Sequence, residues 1–165
     1  MRASVPVRPL AASAPADAPV MTIARHLADS AATRELGCWL GARVRPGDVV
    51  LLDGPLGAGK TTLVRALVEE LGGDPALVAS PTFTLMNCYA ARFAIAHVDA
   101  YRLEHPGQLA ALGFDELVED GLGVIEWADR VETVIPPACA WRVRLAHVAD
   151  GRQALIDVPP GRSAG

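Results

Sequence analysis

Apolar positions follow two different spacings along the first half of the chain. Residues 22–27 predict a short edge strand, and residues 49–52 form a continuous apolar run typical of a parallel strand covered on both faces. Between them, Asp29 and Ser30 are good N-cap residues, and apolar residues then recur at the spacing of a helix. A second amphipathic helix is predicted over residues 62–71. The first half therefore predicts the order strand, helix, strand, helix.

The second half of the chain predicts further strands, two short helices and a C-terminal hairpin. The predicted strands are 92–98, 124–127, 140–148 and 154–158, and the predicted helices are 106–112 and 115–119. The last two strands flank an Asp150-Gly151 turn, which indicates an antiparallel hairpin. Strands that alternate with helices predict an α/β fold, here a three-layer sandwich with a mixed, largely parallel sheet.

A single domain is expected over residues 21–158, since a chain of 165 residues has the length of one domain. Residues 1–20 are rich in Pro and Ala and predict a disordered tail, and residues 159–165 predict a frayed C-terminus. No apolar run has the length of a membrane span, so no membrane partner is expected. The three cysteines lack metal-site spacing, which favours a reducing, cytoplasmic compartment.

Composition narrows the expected partners. The formal net charge of −4 argues against a surface that grips nucleic acid, because such surfaces carry a basic stripe. Of the 15 basic residues, 14 are arginine, and Lys60 is the one lysine. A lysine kept in so arginine-rich a chain indicates that its particular chemistry is needed, and not only its charge.

Residues 54–61 match the pattern G-x-x-x-x-G-K-[ST] without a mismatch. Glycines let backbone N–H groups approach phosphate oxygens, and the helix that follows directs its positive end at the same oxygens. Lys60 can then reach the β- and γ-phosphates, and Thr61 can offer its hydroxyl to Mg²⁺. The pattern predicts a nucleoside triphosphate site. The chain has no N-K-x-D motif for guanine, so ATP is the expected nucleotide.

Three further side chains are candidates for the same site. Asp99 directly follows the predicted strand 92–98, and Glu126-Trp127 closes the predicted strand 124–127. Both carboxylates are therefore expected at the carboxyl edge of the sheet, where α/β proteins bind ligands, and Asp99 is the candidate Walker B acid. Thr82 lies in the loop 80–83, in the interval where nucleotide hydrolases carry a switch threonine. Each of the three also has an ordinary structural explanation. Asp99 is then the cap of a helix or turn, Glu126 is a charge on an edge strand, and Thr82 belongs to an ordinary Ser-Pro turn. We interpret His97 as a packed strand histidine rather than a base.

The order of these motifs resembles that of the TsaE (YjeE) family. The motifs are Gly-Pro-Leu-Gly-Ala-Gly-Lys-Thr-Thr at 54–62, Ser-Pro-Thr-Phe at 80–83, His-x-Asp-x-Tyr-Arg-Leu at 97–103 and Glu-Trp at 126–127. Members are small bacterial P-loop ATPases needed to make threonylcarbamoyladenosine in tRNAs that decode ANN codons. The resemblance covers roughly residues 22–158.

This resemblance implies a mixed sheet with helices on both sides and a site for ATP and Mg²⁺. The implied nucleotide-binding residues are Leu56, Gly57, Ala58, Gly59, Lys60, Thr61 and Thr62, with Ser30 near the adenine and Trp127 near the nucleotide. The implied metal ligands are Thr61, Glu126 and Asp99. The implied catalytic residues are Lys60, Asp99, Glu126 and Thr82.

The resemblance also implies TsaD-like and TsaB-like protein partners, with ATP hydrolysis that is weak alone and stimulated by them. Contact with tRNA would be indirect, through the complex, which agrees with the acidic net charge. One departure from the family pattern is Cys88, which follows Asn87 where members often carry an acid. This departure bears on partner contact and not on nucleotide binding.

Two other functions fit a phosphate loop. A small-molecule kinase is the main alternative, but it normally needs a lid with arginines, whereas Arg142 and Arg144 lie in a predicted strand. A regulatory nucleotide-binding module without turnover is the other. The presence of Asp99, Glu126 and Thr82 together argues against it.

Overall fold

The computed structural model describes residues 20–165, where seven strands form one sheet flanked by four α-helices. The predicted tail therefore lies outside the described residues, except for Val20. The strands are β1 (Met21–Leu27), β2 (Val49–Asp53), β3 (Met86–Tyr89), β4 (Ile95–Asp99), β5 (Leu122–Glu126), β6 (Ala140–Val148) and β7 (Gly151–Val158). The helices are α1 (Ser30–Gly41), α2 (Lys60–Glu70), α3 (Gln108–Ala111) and α4 (Phe114–Glu119).

The sheet is mixed, as the sequence predicts. Its strand order is β1-β7-β6-β2-β5-β4-β3. The four inner strands β6, β2, β5 and β4 are mutually parallel, and β1, β7 and β3 are antiparallel to their neighbours. The phosphate loop follows β2, which has parallel neighbours on both sides. The carboxyl ends of β2, β5 and β4 therefore meet at one edge of the sheet.

Helices cover both faces of the sheet and give the predicted three-layer arrangement. Alternate side chains of β2 enter two separate cores, with Val50 and Leu52 on one face and Val49 and Leu51 on the other. The first core contains the apolar faces of α1 and α2, and the second contains Phe114 and Val118 of α4. A continuous apolar run at 49–52 is the pattern that such two-sided burial requires.

Helix α1 packs closely against α2 because Gly37 lies at their contact. A Cβ at this position would lie 2.5 Å from the backbone oxygen of Leu63 and 2.7 Å from Cβ of Ala66. The backbone oxygen cannot move away without shifting α2. Glycine is thus required at this position by the closeness of the two helices and not by its own dihedral angles.

We expect Gly37→Ala to lower the free energy of unfolding by about 2 kcal/mol, although alanine is the better helix former by roughly 1 kcal/mol. The added methyl group must push α1 away from α2 and loosen the core between them. Urea unfolding followed by circular dichroism measures the change. A variant as stable as the unchanged chain, or more stable, would show that the two helices are not in this close contact.

Among the strands of residues 20–165, the edge strand β3 is the one that the sequence analysis does not predict. Its residues, Met-Asn-Cys-Tyr, include no β-branched side chain, so their local preference for a strand is weak. The strand forms because it pairs with β4, with Met86 opposite Val98 and Tyr89 opposite Ile95. The prediction of a strand from residue 92 is wrong at its start, because β4 begins at Ile95 and continues through Asp99.

Other element boundaries differ from prediction by a few residues. Trp127 was predicted to end a strand, but its φ of 56° takes it out of β5. Gly151 pairs with Val148, so the hairpin turn consists of residues 149–150 rather than Asp150-Gly151. The helix predicted at 106–112 is reduced to the four residues of α3. Helix ends and turns are set by single hydrogen bonds, which apolar spacing does not resolve.

Residues 159–165, predicted to be frayed, form no strand or helix but are tied to the domain by one ion pair. Nη2 of Arg162 lies 2.6 Å from Oδ1 of Asp48. Burial raises the pKa of the Asp48 carboxyl, and hydrogen bonds from the Arg45 amide and the Trp141 indole oppose that rise. Within residues 20–165, no helix is both long and apolar enough to cross a membrane.

Candidate nucleotide-binding site

The phosphate loop joins β2 to α2 at the carboxyl edge of the sheet. Gly59 is the N-cap of α2 and has a φ of 104°, a left-handed conformation that favours glycine. A Cβ on Gly54 would lie 2.8 Å from the backbone oxygen of Leu145, so the loop also passes too close to β6 for a side chain. With no side chain at the N-cap, the first amides of α2 are left for a ligand.

Lys60 is the first residue of α2 and is only 7% exposed. Its Nζ donates hydrogen bonds to the carbonyl oxygens of Gly54 at 2.6 Å and of Pro55 at 3.2 Å. The same Nζ lies 5.1 Å from the ring centroid of Trp127, within the range of a cation–π contact. The ammonium group is therefore held at the phosphate loop, where a phosphate charge would be neutralised.

Asp99 and Glu126 occupy paired positions at the ends of neighbouring parallel strands β4 and β5. Both are 4% exposed. Trp127, directly after Glu126, donates its backbone N–H to the carbonyl of Leu52, so the end of β5 is fixed beside the strand that enters the phosphate loop. The fold thus brings together the two carboxylates that the sequence places at this edge.

The carboxylate of Asp99 holds the loop 80–83 in place. Its Oδ2 accepts a hydrogen bond from Oγ1 of Thr82 at 3.1 Å, and its Oδ1 accepts one from the Tyr101 amide at 2.9 Å. Arg102 adds a hydrogen bond of 3.1 Å to the carbonyl of Thr82. Asp99 is therefore both the cap of the turn that follows β4 and an anchor of the loop 80–83.

The carboxylate of Glu126 is approached by a buried histidine. Nε2 of His97 lies 2.9 Å from Oε1 of Glu126, and Nδ1 of His97 lies 3.1 Å from the hydroxyl of Tyr89. His97 is fully buried, and burial raises the pKa of the Tyr89 phenol. The sequence interpretation of His97 as a packed strand residue misses this connection to the site. Alternation along β4 gives the only sequence signal, since it places His97 on the same face as Asp99.

An aromatic cluster borders the site. Trp127 has a φ of 56°, which is unusual for a bulky residue, and such backbone conformations concentrate at functional sites. Its ring centroid lies 5.1 Å from that of Tyr101, over which the guanidinium of Arg130 lies at 5.2 Å. Leu56 and Phe83 are 92% and 89% exposed at the two neighbouring loops. The phosphate loop and the loop 80–83 thus each carry one exposed apolar side chain.

Two residues outside the predicted set contact the phosphate loop. Nη2 of Arg152, at the start of β7, donates a hydrogen bond of 3.0 Å to the carbonyl of Gly57. Thr33 of α1 lies against Gly59, where an added Cβ would be 3.2 Å from its Cγ2. Ser30 is on the same helix, one turn before Thr33. No motif marks Arg152 or Thr33, so their contacts follow from the fold alone.

The oxygen donors at this edge fit Mg²⁺, which prefers hydroxyl, carboxylate and phosphate oxygens. The residues that would supply them are Thr61, the second residue of α2, and Asp99 and Glu126, the last residues of β4 and β5. In the described part of the chain, no group of three or more His, Cys, Asp or Glu side chains could hold a metal ion.

A family model described as "Threonylcarbamoyl adenosine biosynthesis protein TsaE" matches residues 27–154. The chain belongs to the TsaE family. Relatives named tRNA threonylcarbamoyladenosine biosynthesis protein TsaE support this. The Nostoc sp. protein is 43% identical over 137 residues, which cover 79% of this chain and 82% of that protein. The Treponema pallidum protein is 36% identical over 124 residues, which cover 74% and 90% respectively.

Some TsaE relatives are matched over less of their length. The Rickettsia conorii protein is 39% identical over 106 residues, and this chain spans only 61% of its length. Among solved structures, the crystal structure of Bacillus subtilis YdiB superposes with a TM-score of 0.68 and 26% identity, covering 85% of this chain and 87% of that one. The fold is therefore an α/β, P-loop NTPase-like fold, and the family is one of tRNA threonylcarbamoyladenosine biosynthesis.

Proposed function

We propose that this TsaE-family protein binds ATP with Mg²⁺, hydrolyses it, and acts in tRNA modification through TsaB-like and TsaD-like proteins. The observation that carries the proposal is the meeting of three features at one edge of the sheet. These are the phosphate loop, the buried ammonium of Lys60 and the paired carboxylates of Asp99 and Glu126. A site that only binds a nucleotide needs the loop but not the paired acids.

Each side chain has a defined task in this proposal. The α2 amides and Lys60 would bind and neutralise the phosphates, since α2 begins at the phosphate loop and the ammonium is held there. Thr61, Glu126 and Asp99 would hold Mg²⁺, which would supply charge neutralisation at the phosphoryl group. Asp99 keeps Thr82 at the site, so that the loop 80–83 can respond to the presence of the γ-phosphate. Trp127 shields the Lys60 side of the site from water.

Two observations support a protein partner rather than direct tRNA binding. The formal net charge is −4, and tRNA binding depends mainly on basic residues that neutralise phosphates. Leu56 and Phe83 are almost fully exposed on the loops that contact the nucleotide site. Exposed apolar side chains next to a nucleotide-responsive loop suit a partner whose affinity changes with the bound nucleotide.

The kinase alternative receives no support from the arginines that could form a lid. Arg142 is paired with Glu132 and Arg144 with Asp157, and both lie within β6. Neither side chain is carried by a mobile helix that could close over a phosphate. The proposal of an ATPase therefore remains the better one.

The test of the proposed function is ATP hydrolysis with and without purified TsaB and TsaD proteins. We expect weak phosphate release from the chain alone and a rise of at least about fivefold when both partners are added. No hydrolysis under either condition would overturn the ATPase proposal. Transfer of the γ-phosphate to an added metabolite, detected with labelled ATP, would instead establish a kinase.

A further inference from the structure

Three buried polar side chains from three neighbouring strands form a continuous hydrogen-bonded chain. Tyr89 of β3, His97 of β4 and Glu126 of β5 are 5%, 0% and 4% exposed. The Tyr89 hydroxyl lies 3.1 Å from Nδ1 of His97, and Nε2 of His97 lies 2.9 Å from Oε1 of Glu126. All three are on the sheet face covered by α1 and α2. We call them the Tyr89–His97–Glu126 chain.

The positions of the protons follow from the donors available. An ionised carboxylate only accepts, so Nε2 of His97 must carry the hydrogen that reaches Glu126. In a neutral imidazole, Nδ1 then accepts, and it takes its hydrogen from the hydroxyl of Tyr89. The hydroxyl also lies 3.1 Å from the Ala79 carbonyl, but Nδ2 of Asn87 reaches that oxygen at 3.3 Å. Every group then has a partner.

The chain ends beside the switch-like loop. Ala79 is the residue before the Ser80-Pro81-Thr82-Phe83 segment, and it contacts both Tyr89 and Asn87 of β3. The other end of the same loop is held by the hydrogen bond between Thr82 and Asp99. Asp99 is thus hydrogen-bonded to the loop 80–83, whereas Glu126 is connected to Ala79 only through His97 and the contact of the Tyr89 hydroxyl, since the one hydrogen of that hydroxyl is donated to His97.

We propose that His97, oriented by Tyr89, is a positioning residue that fixes the Glu126 carboxylate for Mg²⁺ and links it to the loop 80–83. The proposal rests on the proposed function, since it takes Glu126 as a metal ligand. A hydrogen bond to the oxygen atom that Mg²⁺ does not use orients the carboxylate and limits its rotation. Apolar residues of similar size could fill these three positions with little or no loss of stability, so the presence of a paired polar chain favours a role at the site.

The test compares His97→Leu with His97→Gln and Tyr89→Phe. Leucine removes the donor to Glu126, whereas the glutamine amide can place an N–H near the position of Nε2. The readout is binding of a non-hydrolysable ATP analogue by calorimetry at increasing Mg²⁺ concentration. His97→Leu should raise the Mg²⁺ concentration required by about 10- to 100-fold. His97→Gln should recover part of this loss, and Tyr89→Phe should show a smaller loss. Binding without Mg²⁺ should not change.

Controls separate the possible failures. His147→Leu is the same substitution at an exposed position of β6 and should leave the Mg²⁺ requirement unchanged. If the unchanged chain does not bind the analogue with Mg²⁺, the proposed function fails. If the unchanged chain binds it and His97→Leu binds it equally well at every Mg²⁺ concentration, only the positioning role fails.

A spectroscopic measurement tests the same proposal if His97→Leu does not fold. The ¹⁵N shifts of the histidine rings report which nitrogen carries the proton. The ring of His97 should show a protonated Nε2 and a bare Nδ1, and the Nδ1 signal should shift in Tyr89→Phe. A proton on Nδ1 together with a bare Nε2 would overturn the assignment, because His97 could then not donate to Glu126.

Discussion

Lys60→Ala is expected to lower the rate of ATP hydrolysis by at least about 100-fold. The substitution removes a prepositioned positive charge that would stabilise the phosphoryl group in the transition state. The ammonium is held at the loop by the carbonyls of Gly54 and Pro55, so little reorganisation is needed when phosphate charge develops. Phosphate release at saturating ATP and Mg²⁺, with the partners present, measures the loss.

A matched control for Lys60→Ala is Arg34→Ala, which also removes one positive charge. Arg34 lies on α1, more than half exposed, and pairs with Glu69 at 2.9 Å. An exposed ion pair of this kind contributes about 1 kcal/mol or less, so the control should hydrolyse ATP at nearly the original rate. Circular dichroism checks that both variants are folded. Normal turnover by Lys60→Ala would contradict the assignment of the phosphate loop.

Glu126→Gln is expected to lower hydrolysis on the order of 100-fold and to raise the Mg²⁺ concentration needed for half-maximal rate. The substitution removes the negative charge but keeps an oxygen that can accept the hydrogen bond from Nε2 of His97. The buried hydrogen-bonded network therefore keeps its geometry. The substitution should weaken Mg²⁺ binding and leave the stability of the fold nearly unchanged. Rates measured over a range of Mg²⁺ concentrations separate the two effects.

Glu119→Gln provides the matched control for Glu126→Gln. Glu119 is exposed at the end of α4, before β5 begins, whereas Glu126 is at the other end of β5. The control should retain both the rate and the Mg²⁺ requirement. If Glu126→Gln instead keeps the original Mg²⁺ requirement and melts at a much lower temperature, the carboxylate serves the fold and the proposed metal ligation is wrong.

Several parts of this protein are predictable because they depend on neighbouring residues. The apolar run at 49–52, the glycine pattern of the phosphate loop and the start of α2 are continuous in the sequence and form one strand-loop-helix unit. The C-terminal hairpin is similar, since alternating residues and a short turn specify it. The edge positions of Asp99 and Glu126 follow from the same logic, because each residue ends a strand.

Strand order is where the sequence analysis is weakest. β3 has little strand preference of its own and forms only because β4 offers a free edge, so residues 86–89 are missed. The pairing of β4 with β5 is also not visible locally, since the two strands are separated by α3 and α4. That pairing puts Asp99 beside Glu126, and the addition of β3 brings Tyr89 to His97.

The sequence by itself determined the phosphate loop, the two-sided burial of β2 and the two carboxylates at the sheet edge, because local spacing and residue type specify each of them. Only the tertiary structure decided which side chains meet there. Arg152 reaches Gly57 from 95 positions away, and His97 reaches Glu126 from 29 positions away. Such contacts depend on strand order and on the face that each residue occupies, and these are set by the packing of the whole sheet between its two helical layers.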